Sequence, residues 1–473
     1  MGERFTRRMR SALRREAYGL LHAGPPTVQL MRPLGPQVPD DARVQQVLDL
    51  CMRVGEVLLS SGESADETTR QMLRLAAAAG LSAVDVDITF TSITMCCHRG
   101  MAAAPVTSMR LVRYRSLDLT RLAEVAAVVD RVEQGRLDIE SAATALSEAV
   151  AAAHPYPRWV ATAGWAGLAA SIALLLGAEI TTALVAFVVT AVIDRTGRLL
   201  NRWGLPAFFQ QVVGGMLATG ATLALFAAGA FPPGTRPSLV IAASITVLLS
   251  GLSVVGTVQD AISSYYVTSA GRAAEIALLS AGLLTGVVLA LKIGFAFGLV
   301  LEVAGELPSG AAQFGISALA AALAAASYSL AGYARWRPLI AAGLTGAAGW
   351  STYGLLTQVL SFGPIAGTGA AAVVVGIGTG LLRRGGGISP FVVTLAGITP
   401  LLPGFTAYRG FYQLAVEYTV DGVVTVTVAL GIGLALAAGV TFGDFLARPR
   451  PAPTTTSAEP VLVAEPAPDA EPQ

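Results

Sequence analysis

The chain reads as a polytopic α-helical membrane protein of about ten transmembrane helices, arranged as two five-helix inverted repeats behind an N-terminal cytoplasmic α+β domain. Three observations predict this. From Trp159 to Leu446 the sequence is a near-continuous series of Ala, Val, Leu and Gly stretches. Runs of about 20 apolar residues are what a hydrocarbon core roughly 30 Å thick demands of a helix that satisfies its own backbone. Second, hydrophobic residues make up 53% of the chain and charged ones 13%, where a soluble domain carries about 25% charged residues. Third, the arginines alternate from loop to loop along the apolar region. A polytopic membrane domain narrows the function to transport, channel activity, intramembrane catalysis or signalling, and no nucleic-acid partner is expected.

The first 42 residues hold Arg4, Arg7, Arg8, Arg10, Arg14 and Arg15 with no apolar run behind them. They read as a basic, disordered tail, not a secretory signal. Residues 43–154 form the expected α+β domain. A helical period runs from Ala42 to Ser60 and closes at Gly62, and Ser64-Ala-Asp-Glu67 is a capping box that opens a second helix ending at Gly80. Val84 to Cys97 alternates with a period near two, as one strand would, and Val106 to Tyr114 pairs with it across a turn. Two amphipathic helices, Leu119–Glu133 and Ile139–Ala152, precede Pro155 and Pro157. Tyr156 and Trp159 suit a membrane interface.

Ten hydrophobic segments follow, centred near 168, 186, 218, 248, 288, 323, 347, 372, 395 and 433. Five belong to a first membrane half, 159–308, and five to a second, 312–447. The residues from 448 to 473 read as a disordered tail. Alternate loops hold Arg195, Arg198 and Arg202; Arg272; Arg335 and Arg337; Arg383 and Arg384; and Arg448 and Arg450. The opposite loops hold only Arg236 and Arg409, beside Glu179, Glu302, Glu306, Glu417 and Asp421. This positive-inside bias puts both termini in the cytoplasm.

The penultimate segment of each half is interrupted. Segment four, Ser238–Val255, meets the polar stretch Gly256-Thr-Val-Gln-Asp260, followed by Arg272 and Glu275. Segment nine, Ile388–Leu402, ends at Pro403-Gly404, followed by Tyr408-Arg409-Gly410. Interrupted segments in corresponding positions of two halves point to a transporter binding site. Asp260 and Glu275 are candidate proton carriers there. Of the 32 basic side chains only Lys292 is a lysine, and it lies inside segment five, facing a cavity or snorkelling towards Glu302 or Glu306. The pairs Gly282/Gly286, Gly294/Gly298 and Gly363/Gly367 have the spacing of close helix contacts.

The three cysteines (Cys51, Cys96, Cys97) and three histidines (His22, His98, His154) all precede Trp159, so no cofactor or metal is expected in the membrane. Cys96-Cys97-His98 lacks a second ligand pair, and neighbouring strand residues face opposite ways. No Walker motif or hydrolase signature is present.

The strand around Asp85–Thr94 and the motifs Leu58-Leu59-Ser60-Ser61-Gly62, Gln259-Asp260…Arg272…Glu275 and Pro400-Leu-Leu-Pro-Gly404…Tyr408-Arg409-Gly410 carry a resemblance. Over roughly residues 43–447 the chain resembles the threonine/serine exporter family in its fused single-chain form. It departs in having Val255-Gly256 where the second half has Pro403-Gly404. The resemblance implies a bacterial inner-membrane antiporter, not an enzyme, that exports L-threonine and L-serine with the proton gradient. A homo-oligomer is compatible with it. Rival classes are a passive channel or other small-metabolite permease and a membrane-anchored sensor. A zwitterionic substrate needs an anion for its ammonium and a cation or helix N-terminus for its carboxylate. Asp260 and Arg409, with Lys292 as second cation, are the expected pair; Ser253, Thr257, Ser263 and Thr399 are candidates for the substrate hydroxyl.

The arginine pattern fixes an expected topology. Reporters fused after Ala153 and after Pro449 should read cytoplasmic, and one after Pro233 external. A periplasmic reading at either terminus would reverse the sides of both breaks.

Overall fold

The computed structural model describes residues 40–99, 103–114, 117–249, 251–299, 311–382, 390–417 and 419–447. The expected tails (1–42 up to residue 39, and 448–473), Arg383 and Arg384, and Lys292's proposed partners Glu302 and Glu306 lie outside the described residues. The chain clusters into two compact units. One holds the residues up to Ala161 together with Ser253–Ala281 and Ala331–Arg335; the other holds the remainder.

In the first unit, helices α1 (Asp41–Ser60) and α2 (Ala65–Ala78) lead into an antiparallel sheet of β1 (Val84–Thr89), β2 (Ser92–Cys97) and β3 (Val106–Leu111), in the order β1-β2-β3. Helices α3 (Leu119–Glu133) and α4 (Ile139–Ala151) complete the layer. The sheet buries Ile88, Ile93, Met95 and Cys97 against helices that contribute Val47, Leu48, Cys51, Met72, Leu122 and Leu146. Alternation along β2 explains this, since Ile93, Met95 and Cys97 share one face. The Ser64 hydroxyl caps α2 by accepting from the Glu67 amide at 3.3 Å, as the capping box predicts.

The single strand expected over Val84–Cys97 is a hairpin instead. Thr89 pairs with Ser92, leaving Phe90 and Thr91 as a two-residue turn. The turn escapes detection because it has no glycine or asparagine: Phe90 itself takes φ 54°, at a cost of about 1–2 kcal/mol. Tertiary contacts hold it there. The Phe90 amide donates to the Thr268 hydroxyl at 3.0 Å, and that hydroxyl donates to the Ile88 carbonyl at 2.8 Å. Gly271 leaves room for the Phe90 ring, which would lie 2.9 Å from a Cβ at that position.

The segment Ala331–Arg335 is held in the same unit. The Leu119 amide donates to Gly332 O at 2.9 Å and Thr120 Oγ1 to Tyr333 O at 2.6 Å. Tyr333 stacks on His154 at 4.2 Å, and His154 Nδ1 lies 3.0 Å from the buried Asp118 carboxylate.

The apolar region comprises α5 (Arg158–Leu175), α6 (Ile180–Arg202), α7 (Ala207–Ala227), α8 (Ser238–Leu248), α9 (Gly251–Ile262), α10 (Tyr266–Ala296), α11 (Ala311–Ala331), α12 (Trp336–Gly354), α13 (Pro364–Leu382), α14 (Pro390–Gly397), α15 (Gly404–Tyr412) and α16 (Asp421–Ala447). Among the described residues seven of these helices are long and apolar enough to cross a membrane, or up to eight if α8 and the following segment Ser253–Ile262 make one broken span. Of the ten expected segments, two do not meet that measure of length and apolar character among the described residues. The segment near 347 is α12, whose glycines, Ser351, Thr352 and Arg337 dilute its apolar character, and the segment near 395 is short, Val392–Leu401. Arg195, Arg198 and Arg202, expected in a loop, lie within α6.

Helix packing in the second unit relies on backbone approach. A Cβ at Gly286 would lie 2.0 Å from Val212 O, one at Gly215 2.3 Å from Leu283 O, and one at Gly376 2.5 Å from Val440 O. Of the spaced pairs, Gly282 and Gly286 both meet α7, whereas Gly298 and Gly363 meet nothing within 4 Å. Some buried hydroxyls return to the backbone or to each other, as Thr222 does to Ala218 O and Thr190 to Ser244.

Two substitutions on α13 separate close packing from helix propensity. Gly376→Ala should destabilise by roughly 1–3 kcal/mol because its neighbours are backbone atoms that cannot yield. Gly378→Ala, with no heavy atom within 4 Å, should be neutral or slightly stabilising. Thermal unfolding in detergent measures both.

Candidate functional site

The two interrupted segments are real interruptions, but the first lies earlier than expected. Helix α8 stops at Leu248, Leu249 is extended with ψ 124°, and α9 starts at Gly251, so Gly256–Asp260 is helical. No proline or polar run marks this stop, which is why an extension to Val255 was predicted. The second break falls where expected. A 3-10 turn, Thr399–Leu401, ends at the extended Leu402, and Pro403 caps α15. Within the second unit α8 packs on α15. A Cβ at Gly404 would lie 2.5 Å from Thr246 Cγ2, so only glycine permits this approach. Tyr408 is buried, with its ring 6.1 Å from that of Tyr412, and Arg409 is half-buried.

A buried charge cluster lies in the first unit. Asp260, near the end of α9, is completely buried. Its Oδ2 lies 2.7 Å from Nη1 of Arg272 on α10, and its Oδ1 accepts from the Ala65 amide at 2.8 Å. Ala65 opens α2, so the carboxylate sits at a helix N-terminus, where free amides and the helix dipole favour an anion. Arg272 also donates from Nη2 to Glu63 O at 3.1 Å. A Cβ at Gly256 would stand 3.4 Å from this guanidinium, an ordinary contact.

Local sequence explains why the α1–α2 turn reaches this point. Gly62 takes φ 93°, and the Gly62 and Glu63 amides donate to Leu59 O and Leu58 O, closing α1 with a left-handed cap. That cap turns Glu63 inward and aims the α2 N-terminus at Asp260. On the other side Ser264, at φ 70°, ends α9, with the Tyr265 amide donating to Asp260 O. The Tyr265 hydroxyl then donates to Thr69 Oγ1 at 2.9 Å.

The remaining candidates fall differently. Glu275 is half-buried one turn beyond Arg272. Lys292 is exposed on α10, next to the exposed Ile293 and Leu289, with the apolar surface side chains and not in a buried cluster. Thr257 and Thr399 donate to Ser253 O and Leu395 O on their own helices, the ordinary use of such hydroxyls in apolar helices. Ser253 and Ser263 are half-buried.

Sequence reasoning missed Glu63. It is 5% exposed, and burial pushes its carboxyl well above the usual range, helped by Glu67 and opposed by Ser64 N–H, Arg70 and Arg272. The one signal available was its place between the Gly62 cap and the Ser64 N-cap, where a carboxylate usually stands in solvent.

The structure is that of a polytopic helical protein with an α/β layer and a buried charge cluster. Comparison with known proteins gives its class. Residues 49–294 match the family described as "Putative threonine/serine exporter", and residues 317–446 match "Threonine/Serine exporter, ThrE". The chain is 37% identical over 418 residues to the "Probable threonine/serine exporter" of Mycobacterium tuberculosis, covering 87% of this chain and 78% of that one. It is 35% identical over 421 residues to the "Threonine/serine exporter" of Corynebacterium glutamicum, covering 88% and 86%. No solved structure matches it. The chain belongs to the threonine/serine exporter family.

The raised Glu63 carboxyl sets a pH dependence. Between the unfolded glutamate value of about 4.3 and the higher folded one, the native state holds a proton that the unfolded state has lost. Stability therefore falls as pH rises through that window. Glu63→Gln should remove this slope, so that its melting temperature overtakes that of the wild type as pH rises. Parallel melting curves from pH 5 to 8 would contradict it.

Proposed function

We propose that the protein is a secondary exporter of small hydroxylated amino acids, L-threonine and L-serine, coupled to the proton gradient. In this reading both termini are cytoplasmic and the two membrane halves are inverted five-helix repeats. The family and the names of its relatives support the substrate class. The carrying observation for the mechanism is the buried Asp260–Arg272 pair at 2.7 Å. An amino-acid zwitterion bears the same two charges at a similar separation. Its ammonium can take the place of the guanidinium on Asp260, and its carboxylate the place of Asp260 on Arg272, so neither buried charge is left uncompensated during exchange. Asp260 is thus the anion that takes the substrate ammonium, Arg272 the partner of its carboxylate, and Glu275 a further acid of the route. Pro403, Gly404, Tyr408 and Arg409 form the break of the second half. Lys292, exposed among apolar neighbours, stands outside the coupling set.

Efflux of labelled threonine from proteoliposomes under an imposed pH gradient tests this. Asp260→Asn keeps an acceptor for the Ala65 amide, so the protein should fold, while loss of the charge should cut gradient-driven efflux by about 10- to 100-fold, the worth of a hydrogen bond to a charged group. Wild-type efflux indifferent to the gradient would instead mean a passive channel.

Lys292→Met, measured in the same vesicles, should keep efflux within about twofold and slightly raise thermal stability, since an ammonium at hydrocarbon depth is unfavourable. Loss of transport would return Lys292 to the substrate path.

A further inference from the structure

Within the first unit the turn Gly62-Glu63-Ser64, the end of α9 and the start of α10 enclose two buried acids and one buried cation. Asp260 is 0% exposed, Glu63 5% and Arg272 6%. Arg272 is committed to Asp260 at 2.7 Å, and what it offers the Glu63 residue is a bond to the main-chain carbonyl. The Glu63 carboxyl has a local donor, the Ser64 amide, at 3.3 Å. The charged groups facing it from α2 are Glu67 and Arg70, and Arg70 is itself paired to Glu67 at 2.7 Å and Asp66 at 2.9 Å on the exposed side of that helix. From α10 Arg272 faces it, and Asp260 on α9 shares that arginine. With both acids ionised the enclosed group would carry one uncompensated negative charge, and an isolated buried carboxylate neutralises itself by keeping its proton.

We propose that Glu63 holds this proton and is the coupling acid of the exporter: the turn before α2, not an intramembrane side chain, carries the proton exchanged against the amino acid. The inference rests on the proton-coupled reading above. In charge terms, the resting cluster is Glu63–COOH, Asp260–COO⁻ and Arg272⁺. When a substrate carboxylate engages Arg272 and its ammonium engages Asp260, the net charge of the cluster is unchanged. The substrate ammonium, once beside the two acids, lets Glu63 ionise and pass its proton to water; when the substrate leaves, Glu63 takes a proton back from water, so one proton is exchanged for one amino acid. No co-reactant beyond water and its protons is needed. Burial, which raises the Glu63 carboxyl, supports this assignment. It also accounts for a glycine at 62, whose left-handed backbone turns the acid inward.

The test compares wild type, Glu63→Gln and Glu63→Asp as full-length protein in proteoliposomes. Two measurements are needed: threonine efflux driven by a pH gradient, and threonine–threonine exchange at equal pH on both sides. Gln mimics the protonated acid and preserves its volume. It should keep exchange within about twofold of wild type while losing the response to the gradient at least tenfold, and Asp should recover part of that response. A Gln variant with the wild-type gradient response overturns the proposal and leaves proton coupling standing. Equal loss of exchange and of gradient-driven efflux also overturns it, by making Glu63 structural. A wild type that exchanges threonine but ignores the gradient overturns the coupling reading itself, a different and separately visible result.

Discussion

The Asp260 carboxylate, removed from water and held by Arg272 and the Ala65 amide, is the interaction on which the first unit depends. Burying an ion costs several kcal/mol even after relaxation, and attraction to a partner offsets this only if the remaining lone pairs are satisfied. Here one oxygen has the guanidinium and the other a helix N-terminus. Two otherwise costly features serve that arrangement. Gly62 adopts a left-handed backbone so that α2 can point at the carboxylate, and Ser264 adopts one to end α9 just beyond it.

The same unit explains why residues distant in sequence are inseparable in the fold. Thr268 completes the hydrogen bonding of a hairpin some 180 residues earlier. Leu119 and Thr120 bind the backbone of Gly332 and Tyr333. Each contact pairs a main-chain group at least partly shielded from water, where a missing partner costs free energy. These are fixed points of the structure, not incidental touches.

The second unit is organised by a different constraint. Lipid tails are as apolar as leucine, so helices there associate through shape and close backbone contact. Gly376 against Val440 O, Gly439 against Gly369 O and Gly443 against Val373 O run the length of the α13–α16 contact. Gly404 instead makes room for the Thr246 side chain where α15 meets α8. Hydroxyls that suggest ligand binding mostly satisfy carbonyls of their own helices, which is why Thr257 and Thr399 are poorer candidates in the structure than in the sequence.

Much of the architecture was legible from the chain alone because it follows from local pattern. Helical period, the Ser64 capping box and the length of the apolar runs determined α1 to α4, most of the membrane helices, and the break at Pro403-Gly404. The fused exporter resemblance rested on motifs that name Asp260 and Arg272. What local pattern could not determine was decided by tertiary contact. A phenylalanine in a left-handed turn divides one expected strand into two, because Thr268 and Gly271 hold it there. Helix α8 stops at Leu248, where the sequence offers only the weak Ser250-Gly251 signal inside an apolar run. Glu63, an ordinary loop glutamate in sequence, becomes a buried acid only because Asp260 and Arg272, some 200 residues downstream, close over its turn. Spacing reports which residues share a helix face; whether a charge meets water or another charge depends on what packs against it from elsewhere in the chain.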